Sequence, residues 1–235
     1  RDWSSDVCSS DLVRRPGVKR FLWTVGLGTC AFNMQDIVLE PYGAQVLHLG
    51  VGATSLLTAL TACGSLLAFA LAATLLSRGT DAVRLAALGA VAGLPAFAMV
   101  IFSGPLEAPN LFRAGAFLIG VGGGLFSVGT LTMAMGLQQG EDAGLALGAW
   151  GAVQATAAGA SVAAGGMIKD AIGALAASGW LGESLMSPLT GYSFVYHLEI
   201  YLLFAVLIAI GPLVRRDALA AHTPARKFGL ADLPG

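Results

Sequence analysis

Charge is scarce in this sequence. Only 11% of its 235 residues are Asp, Glu, Lys or Arg, whereas 56% are hydrophobic. A soluble domain carries about 25% charged residues. A chain this poor in charge cannot cover a water-facing surface of its size, and its mean hydropathy of +0.75 points to lipid as the surrounding medium. The net charge is -1, with no basic run interleaved with aromatics, which argues against nucleic-acid binding. Cysteine is rare: Cys8, Cys30 and Cys63. The last two lie inside apolar runs, so a disulfide framework is not expected. Metal spacings such as CxxC or HExxH are missing, as is any nucleophile–base set. The chain also lacks an initiating Met; its first is Met34. Residues 1–12 are polar, rich in Ser and Asp, and unlike the rest of the chain, so they read as a non-native scar outside the fold, with a disordered native loop as the alternative.

What is abundant is long apolar runs and 32 glycines. A helical crossing needs roughly 20 apolar residues for about 30 Å of hydrocarbon. Six segments qualify: Phe21–Leu39, Val51–Leu76, Leu85–Phe102, Ala114–Leu137, Leu145–Ile168 and Tyr196–Val214. The expected class is an all-α membrane protein with six transmembrane helices over residues 21–216. A lead-in at 13–20 and a tail at 217–235 flank it. Glycine is costly inside soluble helices but lets membrane helices approach closely. Gly144/Gly148 and Ala155/Gly159 are small-xxx-small pairs suited to that, and Gly120, Gly122, Gly123 and Gly124 read as helix packing or a flexible point. The last group is not a dinucleotide fingerprint, since the final glycine would fall at Leu125 and no strand precedes it.

Orientation follows from the basic residues. With the N-terminus inside, the cytoplasmic pieces carry Arg1, Arg14, Arg15, Lys19, Arg20, Arg78, Arg84, Arg215, Arg216, Arg226 and Lys227. The outer pieces carry only Arg113 and Lys169. Both ends are therefore expected in the cytoplasm. The longest outer loop, 169–195, holds Trp180, Tyr192 and Phe194, which suit a membrane interface and leave room for a short amphipathic segment.

The first span carries Asn33, Gln35, Asp36 and Glu40. At about 100° per residue, Gly26, Thr29, Asn33, Asp36 and Glu40 share one face of a continuous helix. A carboxylate in lipid costs several kcal/mol unless paired or neutralised, so this face should look into the bundle or a wet cavity. It reads either as a substrate, proton or partner site, or as a polar seam with Glu40 at the outer water interface. Trp150, Gln154 and Ser161 share a face of the fifth span, where Gln154 suits an interhelical hydrogen bond or a ligand contact. His48 and His197 lie near the outer surface, where an imidazole can be solvated or can ligate a metal, including the magnesium of a chlorin. His197 and Glu199 are expected to open the sixth span. Asp36-xxx-Glu40 is similar to one acidic repeat of membrane prenyltransferases, but those need two, so enzyme activity is not expected.

The stretch Ala31-Phe-Asn-Met-Gln-Asp-Ile-Val-Leu-Glu-Pro-Tyr-Gly43, followed by Gln45-Val-Leu47, resembles the PucC/LhaA family. The resemblance continues through Arg78…Arg84, Gly120–Phe126, Gly148–Ala155 and Gly191–Val195, over about residues 18–216. It implies half of a major facilitator superfamily-type twelve-helix bundle, equivalent to helices seven to twelve, with the N-terminal half missing. It also implies a role in light-harvesting complex assembly in the intracytoplasmic photosynthetic membrane. The partners would be light-harvesting polypeptides and bacteriochlorophyll, the latter as cargo rather than a tightly bound cofactor. Asn33, Gln35, Asp36, Glu40 and Gln154 are then candidates for pigment, substrate or partner binding, and His48 and His197 for pigment ligands. A proton-coupled secondary transporter of a small solute, with Asp36 as the coupling carboxylate, is the alternative.

The topology has a direct test. Cysteines introduced by Arg78→Cys and Arg113→Cys should react with an impermeant thiol reagent from opposite sides of the membrane. Labelling of both from one side would defeat the six-span reading.

Overall fold

The computed structural model describes residues 16–136 and 143–221. The expectations for residues 1–12, for most of the Gln138–Gly144 turn and for the tail beyond Ala221 lie outside the described residues. Seven α-helices occur in order among them: α1 (Pro16–Asn33), α2 (Leu39–Gln45), α3 (Val51–Ser77), α4 (Ala82–Ser103), α5 (Pro109–Gly136), α6 (Ala143–Ala177) and α7 (Leu189–Ala221). Short 3₁₀ segments stand at Met34–Ile37 and Glu183–Leu185, and no strand occurs among the described residues.

Five of these helices, α3 to α7, are each long and apolar enough to cross a membrane. The first expected span is not a single helix. It is α1, the 3₁₀ segment and α2 in series, and Pro41 gives the reason. Proline lacks an N–H, and its ring collides with the carbonyl four residues earlier, so it is costly in a helix interior but well tolerated in a first turn. Breaking the helix at Met34–Ile37 puts Pro41 in the first turn of α2. The last expected loop is shorter than 169–195, because α6 continues to Ala177 and α7 starts at Leu189. Trp180 stays in that loop, 85% exposed, while Tyr192 and Phe194 belong to α7.

The bundle is built around α5, which packs most extensively on α4 and then on α3. Glycine permits this. A Cβ built on Gly120 would fall on the Thr61 carbonyl oxygen, and one on Gly64 would fall on that of Phe117. Gly89 and Gly122 face each other across α4 and α5 in the same way: a Cβ on Gly89 would lie 2.6 Å from the Gly122 oxygen. At such contacts hydroxyls bridge the helices, with Thr61 and Ser65 donating to the carbonyls of Ala116 and Gly120. On α6, Gly165 makes a similar approach, a Cβ there falling 2.6 Å from the Met34 carbonyl oxygen, but the expected small-xxx-small pairs behave differently. A Cβ on Gly144, Gly148 or Gly159 would meet nothing within 4 Å, so these pairs do not pack within the described residues. Outward positions on α3, α4 and α7 carry Leu66, Leu71, Val91, Phe204 and Ile208, the apolar surface that lipid requires.

Aromatics make up only 8% of the chain, yet they link the centre of the bundle. Phe32 contacts Phe97 and Phe126, Phe97 contacts Tyr196, and Tyr42 contacts Phe112, Tyr192 and Tyr196, with ring centroids 5.2–6.4 Å apart. Such pairs contribute about 0.5–1.5 kcal/mol each beyond burial.

A second proline is matched by a side chain. Pro212 lies inside α7 and cannot donate to the Ile208 carbonyl. Arg20 of α1 donates from Nη2 to Ile208 O at 3.3 Å and from Nε to Ala209 O at 2.8 Å. The start of α1 and the far end of α7 therefore meet at one end of the bundle, as an even number of crossings requires.

The packing makes a quantitative expectation. Gly120→Ala or Gly64→Ala should each cost about 1–3 kcal/mol through forced separation of α3 and α5. Gly148→Ala should leave the melting temperature in detergent unchanged. Equal melting temperatures for all three variants would contradict the close α3–α5 contact.

Candidate functional site

The break in the first span creates the site. Because the chain leaves the α-helix at Met34, Asn33, Gln35 and Asp36 do not continue along one helical stripe. They surround a cavity of about 210 Å³ between α1, the 3₁₀ segment, α3, α5 and α6. Its wall includes Phe32, Phe69, Phe126, Gly120, Gly123 and Gln154. A second cavity, about 360 Å³, shares Gln35, Asp36, Thr61 and Ser65 with the first and extends to Glu40 and Thr58. Five of the residues expected from the sequence, Asn33, Gln35, Asp36, Glu40 and Gln154, thus line two adjoining cavities. The single continuous face expected for Gly26, Thr29, Asn33, Asp36 and Glu40 is interrupted by the 3₁₀ segment.

Local hydrogen bonds set the side chains. Asn33 Nδ2 donates to the Thr29 carbonyl at 2.7 Å. Gln35 Nε2 donates to Asp36 Oδ1 at 2.6 Å, which aims the amide along the turn. Thr58 Oγ1 donates to Glu40 Oε1 at 2.7 Å, tying α2 to α3. Both carboxylates are exposed at the mouth of the second cavity. Trp150 Nε1 donates to Thr130 Oγ1 at 3.3 Å, fixing α6 against α5 next to Gln154.

The histidines are elsewhere. His48 is exposed in the turn after α2, with a left-handed φ of 52°. His197 is exposed on α7, its Nδ1 2.6 Å from the Ser193 carbonyl oxygen, to which it donates as the Nδ1–H tautomer. Neither lines the two cavities.

Glu199 was expected at the opening of the last span. It lies ten residues inside α7 instead and is fully buried. Neither carboxyl oxygen has a hydrogen-bond partner, and the same is true of Gln35 Oε1 and the Tyr196 hydroxyl. The backbone of Gln35 lies beside the Glu199 carboxyl, and Asp36 is within electrostatic reach. A signal for it existed in the sequence: Tyr192, Val195, Tyr196, Glu199, Leu203, Val206 and Ile210 recur at helical spacing, which puts Glu199 in the middle of a buried stripe.

Fold and site together define a multi-pass α-helical membrane protein with a polar, aromatic-walled cavity at a discontinuous helix. Among the described residues there is no group of three His, Cys, Asp or Glu placed to hold a metal. The family profile described as "PUCC protein" matches residues 5–218. The chain is 48% identical over 226 residues to an "Uncharacterized protein in puhA-bchM intergenic region" of Rhodobacter capsulatus, covering 95% of this chain and 47% of that protein. It is 52% identical over 159 residues to "Protein PucC" of Rhodovulum sulfidophilum, covering 68% of this chain and 35% of the relative. It is 44% identical over 212 residues to "Protein PucC" of Cereibacter sphaeroides, covering 90% and 45%. The chain belongs to the PucC family. It spans about half the length or less of these curated relatives, and no solved structure matches it.

The role given to Pro41 is open to test. In Pro41→Ala the new N–H can reach the Ile37 carbonyl, and the α-helix can run through the break. Amide exchange across residues 37–41 should slow several-fold, and unchanged exchange would show that something other than Pro41 imposes the break.

Proposed function

We propose that this chain is part of an assembly factor for light-harvesting complexes, handling bacteriochlorophyll as cargo in the intracytoplasmic photosynthetic membrane, with both ends of the chain in the cytoplasm. The observation that carries the reading is the composition of the cavity wall. Phe32, Phe69 and Phe126 supply aromatic side chains, Gly120, Gly123 and Gly124 keep one wall free of side chains, and Asn33, Gln35, Asp36 and Gln154 supply polar groups. A flat chlorin calls for that combination. Its ring stacks on aromatics and glycine backbone, its carbonyl substituents accept hydrogen bonds from amides, and its magnesium takes oxygen ligands. No catalytic step is assigned to these residues.

The site is open on one side. Asp36 and Glu40 are exposed at its mouth, next to the hydroxyl of Thr58 on α3. Lipid is a poor neighbour for carboxylates. The remainder of the longer protein is the natural cover, as in transporter folds whose site lies between two repeats. Light-harvesting polypeptides would then receive pigment from a covered cavity rather than from lipid.

Gly123 allows a test that spares the packing. A Cβ there would lie 3.5 Å from Phe32, an ordinary contact, so a larger side chain enters the cavity without parting the helices. Full-length protein carrying Gly123→Leu should accumulate normally but copurify with several-fold less far-red-absorbing pigment, and host membranes should lose near-infrared antenna bands. Full antenna absorbance with the cavity filled would remove this reading.

A further inference from the structure

We propose that Glu199 is a proton-binding site, set behind the helix break and coupled to the cavity through the Gln35–Asp36 turn. The proposal stands apart from pigment handling. It rests on one buried side chain and the polar groups around it.

Glu199 is fully buried, and both its oxygens lack partners. Two further buried polar atoms without partners belong to residues beside it: the Tyr196 hydroxyl, one turn earlier on α7, and Oε1 of Gln35. An ionised carboxylate left unpaired in such surroundings costs several kcal/mol, whereas the neutral acid can be accommodated. Neither cavity is lined by Glu199, so no pigment or solute reaches it as the helices stand. With no trio of metal-ligating residues among the described residues, the ligand that fits is the proton.

The charges around the site favour the same ligand. The elements packed on α7 are α4, α1, α6 and the 3₁₀ segment. The 3₁₀ segment brings Asp36, the charged group nearest in effect to Glu199. From α1, Arg20 is engaged with the carbonyls of Ile208 and Ala209, and Lys19 is exposed. Cys30 of α1 donates weakly to the Ala157 carbonyl, 3.6 Å away. From α6, Lys169 pairs with Asp170 at 2.7 Å and sits over the Tyr192 ring. The ionisable residue of α4 is Arg84, which is 13 residues, or about 20 Å along the helix, from Phe97, the ring that touches Tyr196. Tyr42 of α2 touches Tyr196 and donates to the Val100 carbonyl at 3.1 Å. Glu40 is held by Thr58, and His197 and Tyr201, its neighbours on α7, point to the outside. No cation among these groups reaches Glu199. Negative charge on Asp36 would repel negative charge on Glu199, which adds to the cost of ionising a carboxyl that is already buried and unpaired.

Release of that proton leaves a carboxylate that needs water. The element beside it is the 3₁₀ segment, whose i→i+3 hydrogen bonds have poorer geometry than those of an α-helix. Hydrating Glu199 would therefore displace Gln35 and Asp36, the residues that line both cavities. The closed arrangement is thus favoured at low pH and loosens as pH rises.

Infrared spectroscopy of the full-length protein in lipid nanodiscs reads the proton directly. At neutral pH the wild type should show the C=O stretch of a protonated carboxyl. That band should vanish in Glu199→Gln and survive in Asp36→Asn. Should Glu199→Gln fail to accumulate, Glu199→Asp replaces it, and a shifted band supports the assignment. Absence of the band in the wild type, its loss only in Asp36→Asn, or an unshifted band in Glu199→Asp would overturn it. Coupling is read by amide exchange over residues 34–38, corrected for the intrinsic effect of pH. Exchange should rise several-fold with pH in the wild type and stay flat in Glu199→Gln, and a flat wild-type profile would refute the coupling. Pigment content enters neither measurement, so the cargo reading stands or falls separately.

Discussion

Hydrocarbon offers no hydrogen bonds, so each main-chain N–H and C=O within the bilayer must find its partner inside the protein. The rest of this structure answers to that constraint. Three prolines test it, Pro95 inside α4 among them, and at Pro41 and Pro212 the chain meets it in two ways. At Pro212 the helix continues, and a guanidinium from α1 reaches across to the Ile208 carbonyl that the proline leaves free and to its neighbour at Ala209. At Pro41 the helix stops and restarts, so that the missing donor falls where a helix needs none. The second solution leaves irregular backbone at membrane depth. Such backbone is tolerated where it borders a cavity or is covered by protein, and here it does both.

Polar side chains gather at that irregularity for the same reason. Amides and hydroxyls near the break hold one another or nearby carbonyls, as Asn33 does with Thr29 and Gln35 with Asp36. The aromatic linkage from Phe126 through Phe32, Phe97 and Tyr196 to Tyr42 packs on both sides of the break. It holds in place a segment that its own hydrogen bonds would hold poorly. Rigidity from packing and polarity from the open turn are thus supplied by different residues in one place.

Much of this was legible in the sequence, and the exceptions have physical causes. Hydropathy marks a helix by length alone, so five spans were readable within a turn at most ends. Hydropathy says nothing of continuity, so Phe21–Leu39 read as one helix although Pro41 stood just beyond it. The grouping of Asn33, Gln35, Asp36 and Gln154 survived that error, because a short 3₁₀ segment still turns them toward the bundle. Gly120, Gly122 and Gly124 in α5 read correctly as packing sites, whereas Gly123 and the glycines at the start of α6 make no close approach among the described residues. Small residues announce that a close approach is permitted, not that one occurs. Glu199 was misread as a helix opening because the apolar run begins near it, while the helix itself begins ten residues earlier in a more polar stretch.

The contact between Arg20 and the Ile208–Ala209 turn has a consequence for connectivity. It brings the beginning and the end of the bundle within one side chain's reach, so the described helices form a closed circuit in space although the chain is linear. A linker of a few residues between these two points would bridge a gap that the fold has already closed. New termini could then be cut in an exposed loop, such as the one holding Trp180. The order in which the ribosome delivers the helices would change, while their neighbours in the membrane would stay the same.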